Sequence, residues 1–306
     1  MTFEASRLAG VLVALASPMH RDGSVDEPGV GRLVEHVLAG GVSGVLALGS
    51  TGETASLDEP ARRALLRAVV KAVDARVPVL CGVAQPQLST AVAEIAAARD
   101  LGADAVLVAP PYYYPTDQAG VLAFYRAVAE RTALPVLLYH IPQNTKVHTD
   151  PTTVATLARE GAIQGIKDSS RDFEYFEGLC IETRDVPWFR VFTGSDTMLV
   201  ASMAAGGAGT ICGAANVAPA WVVDVYEQFV AGDLDRARVM QERLYQLTVR
   251  RLRDGVFPLA IKAALHAQGI CEPWSAPPAR ELPEPAQIVM RKGLEELGLT
   301  PETSRH

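Results

Sequence analysis

Eight short apolar runs, separated by longer amphipathic stretches, follow one another along most of the chain. The runs are rich in Val, Ile, Leu and Ala and are apolar throughout, which is typical of parallel strands covered on both faces. They lie at residues 11–16, 44–48, 78–83, 104–108, 135–139, 163–167, 190–193 and 209–212. Eight strand–helix pairs within about 230 residues predict a (β/α)8 TIM barrel.

The stretches between the runs have the i, i+3, i+4 spacing of amphipathic helices, and several begin at an Asp that can cap a first turn. They lie at residues 26–38, 58–74, 88–101, 116–131, 150–159, 172–183, 196–204 and 219–231. An open doubly wound sheet is the alternative fold. It would need a glycine-rich nucleotide loop after the first strand, and the sequence SPMHRDG at that point lacks one.

The last quarter of the chain continues the helical pattern without strands. Three further helices are predicted at residues 233–251, 258–267 and 284–297. The proline-rich connector before the last of them contains Trp274, which gives it a side chain to bury. We therefore expect a catalytic barrel over residues 1–231 and a C-terminal three-helix extension over residues 232–306.

Composition excludes several classes of protein. The net charge is −7 and no basic block occurs, so we expect no nucleic-acid partner. The apolar runs are shorter than the ~20 residues of a membrane helix, and residues 8–16 are expected to form a strand rather than a secretion signal. The four cysteines have neither metal-ligand nor redox spacing, which favours buried thiols in a cytoplasmic protein. The histidines lack an HExxH pattern, and we expect no metal and no cofactor.

Lys167 ends the sixth apolar run, in the sequence GIKD. Catalytic groups of a TIM barrel stand at the carboxyl ends of its strands. Strand alternation places Ile163, Gly165 and Lys167 on one face, and Gly165 would leave room for the lysine. A buried amine loses its charge more readily than one in water, and a neutral amine can form a Schiff base with a ketone. The alternative is a lysine that leans into solvent or pairs with Asp168.

Tyr139 holds the matching position at the end of the fifth run, in YHIP. Neighbouring parallel strands lie about 4.8 Å apart, so Tyr139 and Lys167 could face each other across the barrel mouth. A phenol beside an amine suits proton transfer during imine chemistry. An ordinary core aromatic is the competing interpretation of Tyr139.

Two further loops belong to the same predicted rim. The second run ends in GSTGET, whose hydroxyls and backbone N–H groups could hold a carboxylate. The fourth run ends in PPYYYP, and its three tyrosines could line a pocket or pack against another subunit.

Taken together, GSTGET, PYYYP, YHIP and GIKD resemble the dihydrodipicolinate synthase / N-acetylneuraminate lyase superfamily, and the likeness covers nearly the whole chain. The resemblance implies a class I aldolase that binds pyruvate or a related 2-oxo acid as a Schiff base without a metal. It also implies a homotetramer, a dimer of tight dimers.

The resemblance gives each motif a role. Lys167 matches the imine-forming lysine, and Tyr139 matches the tyrosine that moves protons. Ser50 and Thr51 match the hydroxyl pair that holds the pyruvate carboxylate. Two more positions, Gly194 and Ile211, match backbone sites around the pyruvyl group. Tyr113 matches a tyrosine that the partner subunit inserts into a proton relay, although Tyr112 and Tyr114 adjoin it.

One position departs from the synthase pattern. The synthases that the sequence resembles normally have an arginine five residues after the proton-shuttling tyrosine. That arginine binds the carboxylate of aspartate semialdehyde. That position is Asn144 here, and a neutral amide cannot form a bidentate ion pair. The resemblance therefore favours cleavage or formation of a 2-keto-3-deoxy sugar acid or a 4-hydroxy-2-oxoacid from pyruvate and an aldehyde.

Other functions remain as alternatives. They are 4-hydroxy-tetrahydrodipicolinate (dihydrodipicolinate) synthase, a dehydratase and N-acetylneuraminate lyase of the same superfamily. A non-catalytic sensor of 2-oxo acids is a further alternative, which the presence of both Lys167 and Tyr139 disfavours. A metal-dependent hydrolase would need histidine and carboxylate clusters that the sequence does not show.

Overall fold

Eight parallel strands close into one barrel in chain order, with the last strand paired back to the first. The computed structural model describes residues 8–252, 257–278 and 282–300. The strands are β1 (Gly10–Ala14), β2 (Gly44–Ala47), β3 (Val79–Val83), β4 (Ala105–Val108), β5 (Val136–His140), β6 (Gly165–Asp168), β7 (Arg190–Thr193) and β8 (Gly209–Cys212). The predicted TIM barrel is therefore confirmed.

Helices connect the strands and form the outer layer. They are α1 (Glu27–Ala39), α2 (Glu59–Val73), α3 (Leu88–Asp100), α4 (Gln118–Ala129), α5 (Pro142–Thr145), α6 (Pro151–Arg159), α7 (Phe173–Glu182), α8 (Leu199–Ala204), α9 (Pro219–Val230), α10 (Leu234–Leu247), α11 (Leu259–Ala267) and α12 (Glu284–Glu296). Aspartate side chains accept a hydrogen bond from the first turns of α1, α2, α4, α7 and α10, as the sequence predicts.

Two separate apolar layers stabilise the barrel. The strand side chains that point inward fill its interior, among them Leu12, Leu46, Leu107, Leu137 and Phe192. The side chains between them point outward and pack against the helices, as Ile166 and Leu138 do. This alternation directs Tyr139 inward, into the same interior layer.

One predicted side-chain position is wrong. Ile163 does not share the inner face with Lys167 but packs in the outer layer against the helices. The reason is that β6 begins only at Gly165, so strand alternation does not extend back to residue 163.

The C-terminal segment forms helices that pack on the barrel, with α10 against α9 and α11 against α12. The predicted helix over residues 233–251 has two parts, because α10 ends at Leu247 and a π-helical turn follows over Thr248–Leu252. The predicted boundary between residues 231 and 232 falls in the turn between α9 and α10. None of the helices in the described ranges is both long and apolar enough to cross a membrane.

Candidate active site

Lys167 and Tyr139 are direct partners in the register of β5 and β6. Lys167 is only 4% exposed, and its Nζ lies 4.7 Å from the centroid of the Tyr139 ring. The register follows from the parallel pairing of the two strands, which puts equivalent carboxyl-terminal residues side by side. The chain therefore holds a buried amine against an aromatic face at the mouth of the barrel.

Asp168 does not pair with Lys167 among the described residues. Its Oδ1 lies 2.8 Å from Nδ1 of His140, and it also accepts hydrogen bonds from Ser170. His140 stacks on Tyr175 of α7, with ring centroids 4.3 Å apart. Asp168 and His140 thus tie the ends of β5 and β6 together on the helix side, and they leave the lysine on the inner side.

Space for the Lys167 side chain comes from Gly194 rather than from Gly165. A Cβ atom on Gly194 would overlap Oγ of Ser169 and come within 3.0 Å of Cε of Lys167. A Cβ atom on Gly165 would instead meet the Arg190 carbonyl at 2.7 Å and the Leu137 side chain. The expectation that Gly165 makes room for the lysine is therefore wrong, because its position allows close strand packing.

The hydroxyls of the GSTGET loop lie beside the tyrosine. Oγ of Ser50 and Oη of Tyr139 are 3.2 Å apart, a distance at which either can donate a hydrogen bond to the other. Thr51 is buried next to Ser50. The contact provides a route for a proton between the phenol and the loop.

An ion pair that the sequence interpretation missed fixes this loop. Glu53 lies in the left-handed region, with φ +58°, and its Oε1 is 2.5 Å from Nζ of Lys262 in α11. The same glutamate accepts a hydrogen bond from the backbone N–H of Ala276, and Lys262 donates to the Trp274 carbonyl. Burial lowers the pKa of Lys262, and Glu53 opposes that shift. The sequence does contain a sign of this ion pair, because Lys262 is a single charged residue within the apolar sequence LAIKAAL.

Seven of the eight predicted site residues surround one cavity of about 250 Å³. They are Lys167, Tyr139, Ser50, Thr51, Gly194, Ile211 and Asn144. A neighbouring cavity of about 320 Å³ shares Ser50, Tyr139 and Asn144 and has mainly apolar walls. Residues from six separate segments of the chain therefore meet at the carboxyl end of the barrel, as the fold predicts.

Tyr113, the eighth residue, lies away from this cavity within its own chain. Its side chain is 85% exposed, and that of Tyr114 is 77% exposed, with the two rings edge to face. Tyr112 lines the larger cavity instead. The role that the resemblance gives Tyr113 requires a second subunit, so it stays a prediction.

Five polar residues at the cavity, Gln143 and Ser169 among them, were not predicted from the sequence. Arg171 follows β6, Asp196 follows β7, and Thr248 begins the π-helical turn after α10. Strand ends point to Arg171 and Asp196 as candidates, since both lie just beyond a predicted strand. Only the folded chain brings Thr248 to the site. No cluster of metal-ligating side chains occurs in the described part of the chain.

Comparison with known proteins places this site in a family. Residues 7–297 match the model of the dihydrodipicolinate synthetase family. A 4-hydroxy-tetrahydrodipicolinate synthase of Methanoculleus marisnigri is 37% identical, over 93% of this chain and 98% of that protein. Among solved structures, a prophage protein of the dihydrodipicolinic acid synthase family from E. coli K12, in complex with pyruvate, has a TM-score of 0.91.

That structure is 30% identical and covers 96% of this chain and 99% of its own. A monomeric dihydrodipicolinate synthase variant also has a TM-score of 0.91, at 29% identity, with 95% of this chain and 97% of that chain covered. The family match over nearly the whole chain confirms the resemblance seen in the motifs. The chain belongs to the dihydrodipicolinate synthetase family, whose members are lyases of the class I aldolase type.

Proposed function

We propose that the enzyme forms a Schiff base between Lys167 and a 2-oxo acid such as pyruvate. In this proposal it cleaves or forms a 2-keto-3-deoxy sugar acid or a 4-hydroxy-2-oxoacid. The observation that carries the proposal is the buried Lys167 amine, which lies 4.7 Å from the Tyr139 ring and lines one cavity with Ser50 and Thr51. Burial shields an imine on this amine from bulk water, and the phenol beside it offers a proton acceptor.

The bond changes of cleavage follow from this arrangement. Nζ of Lys167 attacks C2 of the 2-oxo acid, water leaves, and a protonated imine results. Tyr139 takes the proton of the C4 hydroxyl, and the electrons of the C3–C4 bond flow into the imine as the aldehyde leaves. Protonation of the enamine at C3 and hydrolysis then release pyruvate and the free amine. Ser50, 3.2 Å from Tyr139, can pass the proton onward.

Ser50 and Thr51 are the proposed carboxylate ligands. Both line the cavity with Lys167, and the loop that carries them is fixed by the Glu53–Lys262 ion pair. In this proposal Gly194 and Ile211 form the walls around the pyruvyl group. A preorganised loop of this kind stabilises charge without reorganising during the reaction.

The second candidate function is 4-hydroxy-tetrahydrodipicolinate synthase, which the relatives' names favour. Asn144 argues against it only at its own position, where it lines both cavities with a neutral amide instead of the arginine that the resemblance places there in the synthases. A dehydratase or an N-acetylneuraminate lyase would use the same imine. Products separate the aldolase from the dehydratase, since only aldol cleavage releases pyruvate together with an aldehyde. The identity of the released aldehyde separates the other aldolase from the N-acetylneuraminate lyase.

Trapping with borohydride tests the proposal directly. Incubation with pyruvate and borohydride should add one reduced pyruvyl group to the protein, on Lys167, as measured by mass spectrometry. Lys167→Ala should gain no mass and lose turnover. Lys146→Ala, which removes an exposed lysine near the site, should still be trapped. An unmodified wild-type protein would refute the proposal.

Assembly and location complete the proposed function. We place the enzyme in the cytoplasm, because its four cysteines are free thiols. We also propose a homotetramer built from dimers that exchange Tyr113, since this aromatic residue is exposed on the segment that follows β4.

A further inference from the structure

Arg171 adopts a backbone conformation that favours glycine. Its φ is +66°, in the left-handed region, where side chains other than glycine meet steric strain. It lies in the turn between β6 and α7, one residue before the Asp172 that caps α7. A glycine would form this turn with less strain. We therefore look for the reason for an arginine here in its side chain.

That side chain lines the cavity of Lys167 and Tyr139. Arg171 is exposed, and within the described ranges it forms no ion pair. A guanidinium presents five N–H donors in a planar fork, which matches the oxygens of a carboxylate or a phosphate. Arg171 is therefore free to bind an anion that enters the cavity.

A second polar group on the same cavity lacks a partner. Thr248 is only 4% exposed, and among the described residues its hydroxyl has no hydrogen bond. Buried polar atoms are nearly always hydrogen-bonded. The Thr248 hydroxyl oxygen itself has almost no accessible surface, so it could bond a ligand atom only after the side chain turns toward the cavity.

The other polar residues around the cavity do not supply a free cation. Asn144 is neutral, and the Gln143 amide donates to the Ser169 carbonyl. Asp196 is acidic, and its Oδ1 accepts the backbone N–H of Ala214 at 3.1 Å. Among the described residues that line this cavity, Arg171 is the cation that remains once Lys167 is engaged in an imine.

We propose that Arg171 selects substrates with a second anionic group at the end far from the imine. In the synthetic direction the carbonyl partner is then an aldehyde that bears a carboxylate or a phosphate. The Thr248 hydroxyl would hold another oxygen of that partner. This proposal rests on the proposed function, because it assigns the distal end of the same substrate.

Three aldehydes with the same three-carbon skeleton test the proposal. Glyceraldehyde is neutral, tartronate semialdehyde carries a carboxylate, and glyceraldehyde 3-phosphate carries a phosphate. Each is assayed with pyruvate for kcat/KM. We expect the kcat/KM of at least one anionic aldehyde to be about 10- to 100-fold higher than that of glyceraldehyde. Charge-assisted hydrogen bonds to Arg171 would account for a difference of this size. The anionic aldehyde with the larger kcat/KM relative to glyceraldehyde shows whether Arg171 prefers a carboxylate or a phosphate.

Arg171→Gly should bring that ratio close to one, mainly through a higher KM for the anionic aldehyde. Arg171→Gln should do the same while keeping most of the side-chain volume, and melting temperatures check that both variants fold. The matched control is Lys146→Gly, because Lys146 is a cation at φ +59° that does not itself line the cavity.

The control should keep the wild-type ratio. A wild-type enzyme without preference for either anion, or an unchanged ratio in both Arg171 variants, would overturn the assignment. Borohydride trapping of wild-type enzyme with pyruvate separates this outcome from failure of the proposed function. Trapping that succeeds while the aldehydes are not discriminated removes only the role of Arg171.

Discussion

At the residue scale, the proposed function depends on two side chains at equivalent positions of adjacent strands. The Lys167 amine and the Tyr139 ring are both buried and 4.7 Å apart. The amine supplies the covalent bond in the proposed reaction, and the phenol supplies the proton transfer. Removing only the phenol oxygen therefore separates chemistry from packing.

Tyr139→Phe keeps the ring against Lys167 and removes the hydroxyl that lies 3.2 Å from Ser50. We expect kcat to fall by about 10²–10⁴-fold, the usual contribution of a positioned acid–base group. Borohydride trapping of pyruvate should persist at a reduced rate, because the amine is unchanged. Steady-state kinetics with a cleavable 2-oxo acid measures the effect. A kcat within threefold of wild type would contradict the role of Tyr139.

Cys81 in β3 gives a prediction about pH. Burial raises the pKa of its thiol to about 12, from 9.0 in an exposed chain. Between these values the unfolded chain releases the proton and the folded chain keeps it, so stability falls as pH rises above 9. One thiol contributes up to about 1.4 kcal/mol per pH unit to this fall.

The free energy of unfolding in urea, measured from pH 7 to pH 11, checks this prediction. The stability difference between wild type and Cys81→Ala should be constant up to about pH 9 and then shrink, because the variant has no thiol to titrate. Val79→Ala, two residues earlier in the same buried strand, should give a difference that does not change with pH. A constant difference for Cys81→Ala would show that this thiol does not titrate differently on folding.

At the element scale, the loop after β2 and helix α11 act as one unit. Glu53 and Lys262 form a buried ion pair, and the carboxylate also accepts the Ala276 N–H. Neither segment alone could keep such a charge buried, because an unpaired charge is strongly disfavoured away from water. The pair therefore couples the loop of Ser50 and Thr51, the proposed carboxylate ligands, to the C-terminal segment.

Glu53→Gln should destabilise the protein by about 3–5 kcal/mol, because it leaves the Lys262 charge without its partner. Adding Lys262→Met should recover part of that loss, since the double variant buries no charge. Urea denaturation of the three variants measures the coupling. Glu242→Gln breaks the exposed Arg238–Glu242 pair and should cost less than about 1 kcal/mol. If Glu53→Gln and Glu242→Gln lost the same free energy of unfolding, burial of the Glu53–Lys262 pair would not matter.

At the scale of the whole molecule, the ends of β2, β5, β6, β7 and β8 line one cavity at the mouth of the barrel, and in our proposal a partner subunit completes the site. Tyr113 stands outside its own cavity at φ +84° and is exposed. A tyrosine in the left-handed region costs free energy of folding, and residues strained in this way are often functional. Its proposed function is to enter the relay of a partner subunit.

Tyr113→Phe should then lower kcat by at least about tenfold, although the residue lies outside its own chain's cavity. Tyr114→Phe is the matched control, because it is similarly exposed and should have little effect. Sedimentation analysis alongside the kinetics should show the same oligomer for all three proteins. A monomeric enzyme with full activity would exclude the exchange of Tyr113.

The sequence by itself determined the barrel, because eight apolar runs and eight amphipathic stretches of the right length have few other ways to bury their apolar faces. It also determined Lys167, Tyr139, Ser50 and Thr51 as candidates, since strand ends of a TIM barrel carry its site. Strand alternation is local, so the positions of Lys167 and Tyr139 follow from spacing, whereas the resemblance of GSTGET to the family implied the roles of Ser50 and Thr51.

Only the tertiary structure decided the contacts that depend on distant segments. Gly194 gives Lys167 its space across two strands, and Lys262 holds Glu53 from more than 200 residues away. Thr248 reaches the same cavity from the C-terminal segment, far along the chain from the strand ends that form it. Their spacing along the sequence carries no information about these contacts, because closure of the barrel and the packing of the C-terminal helices set the distances.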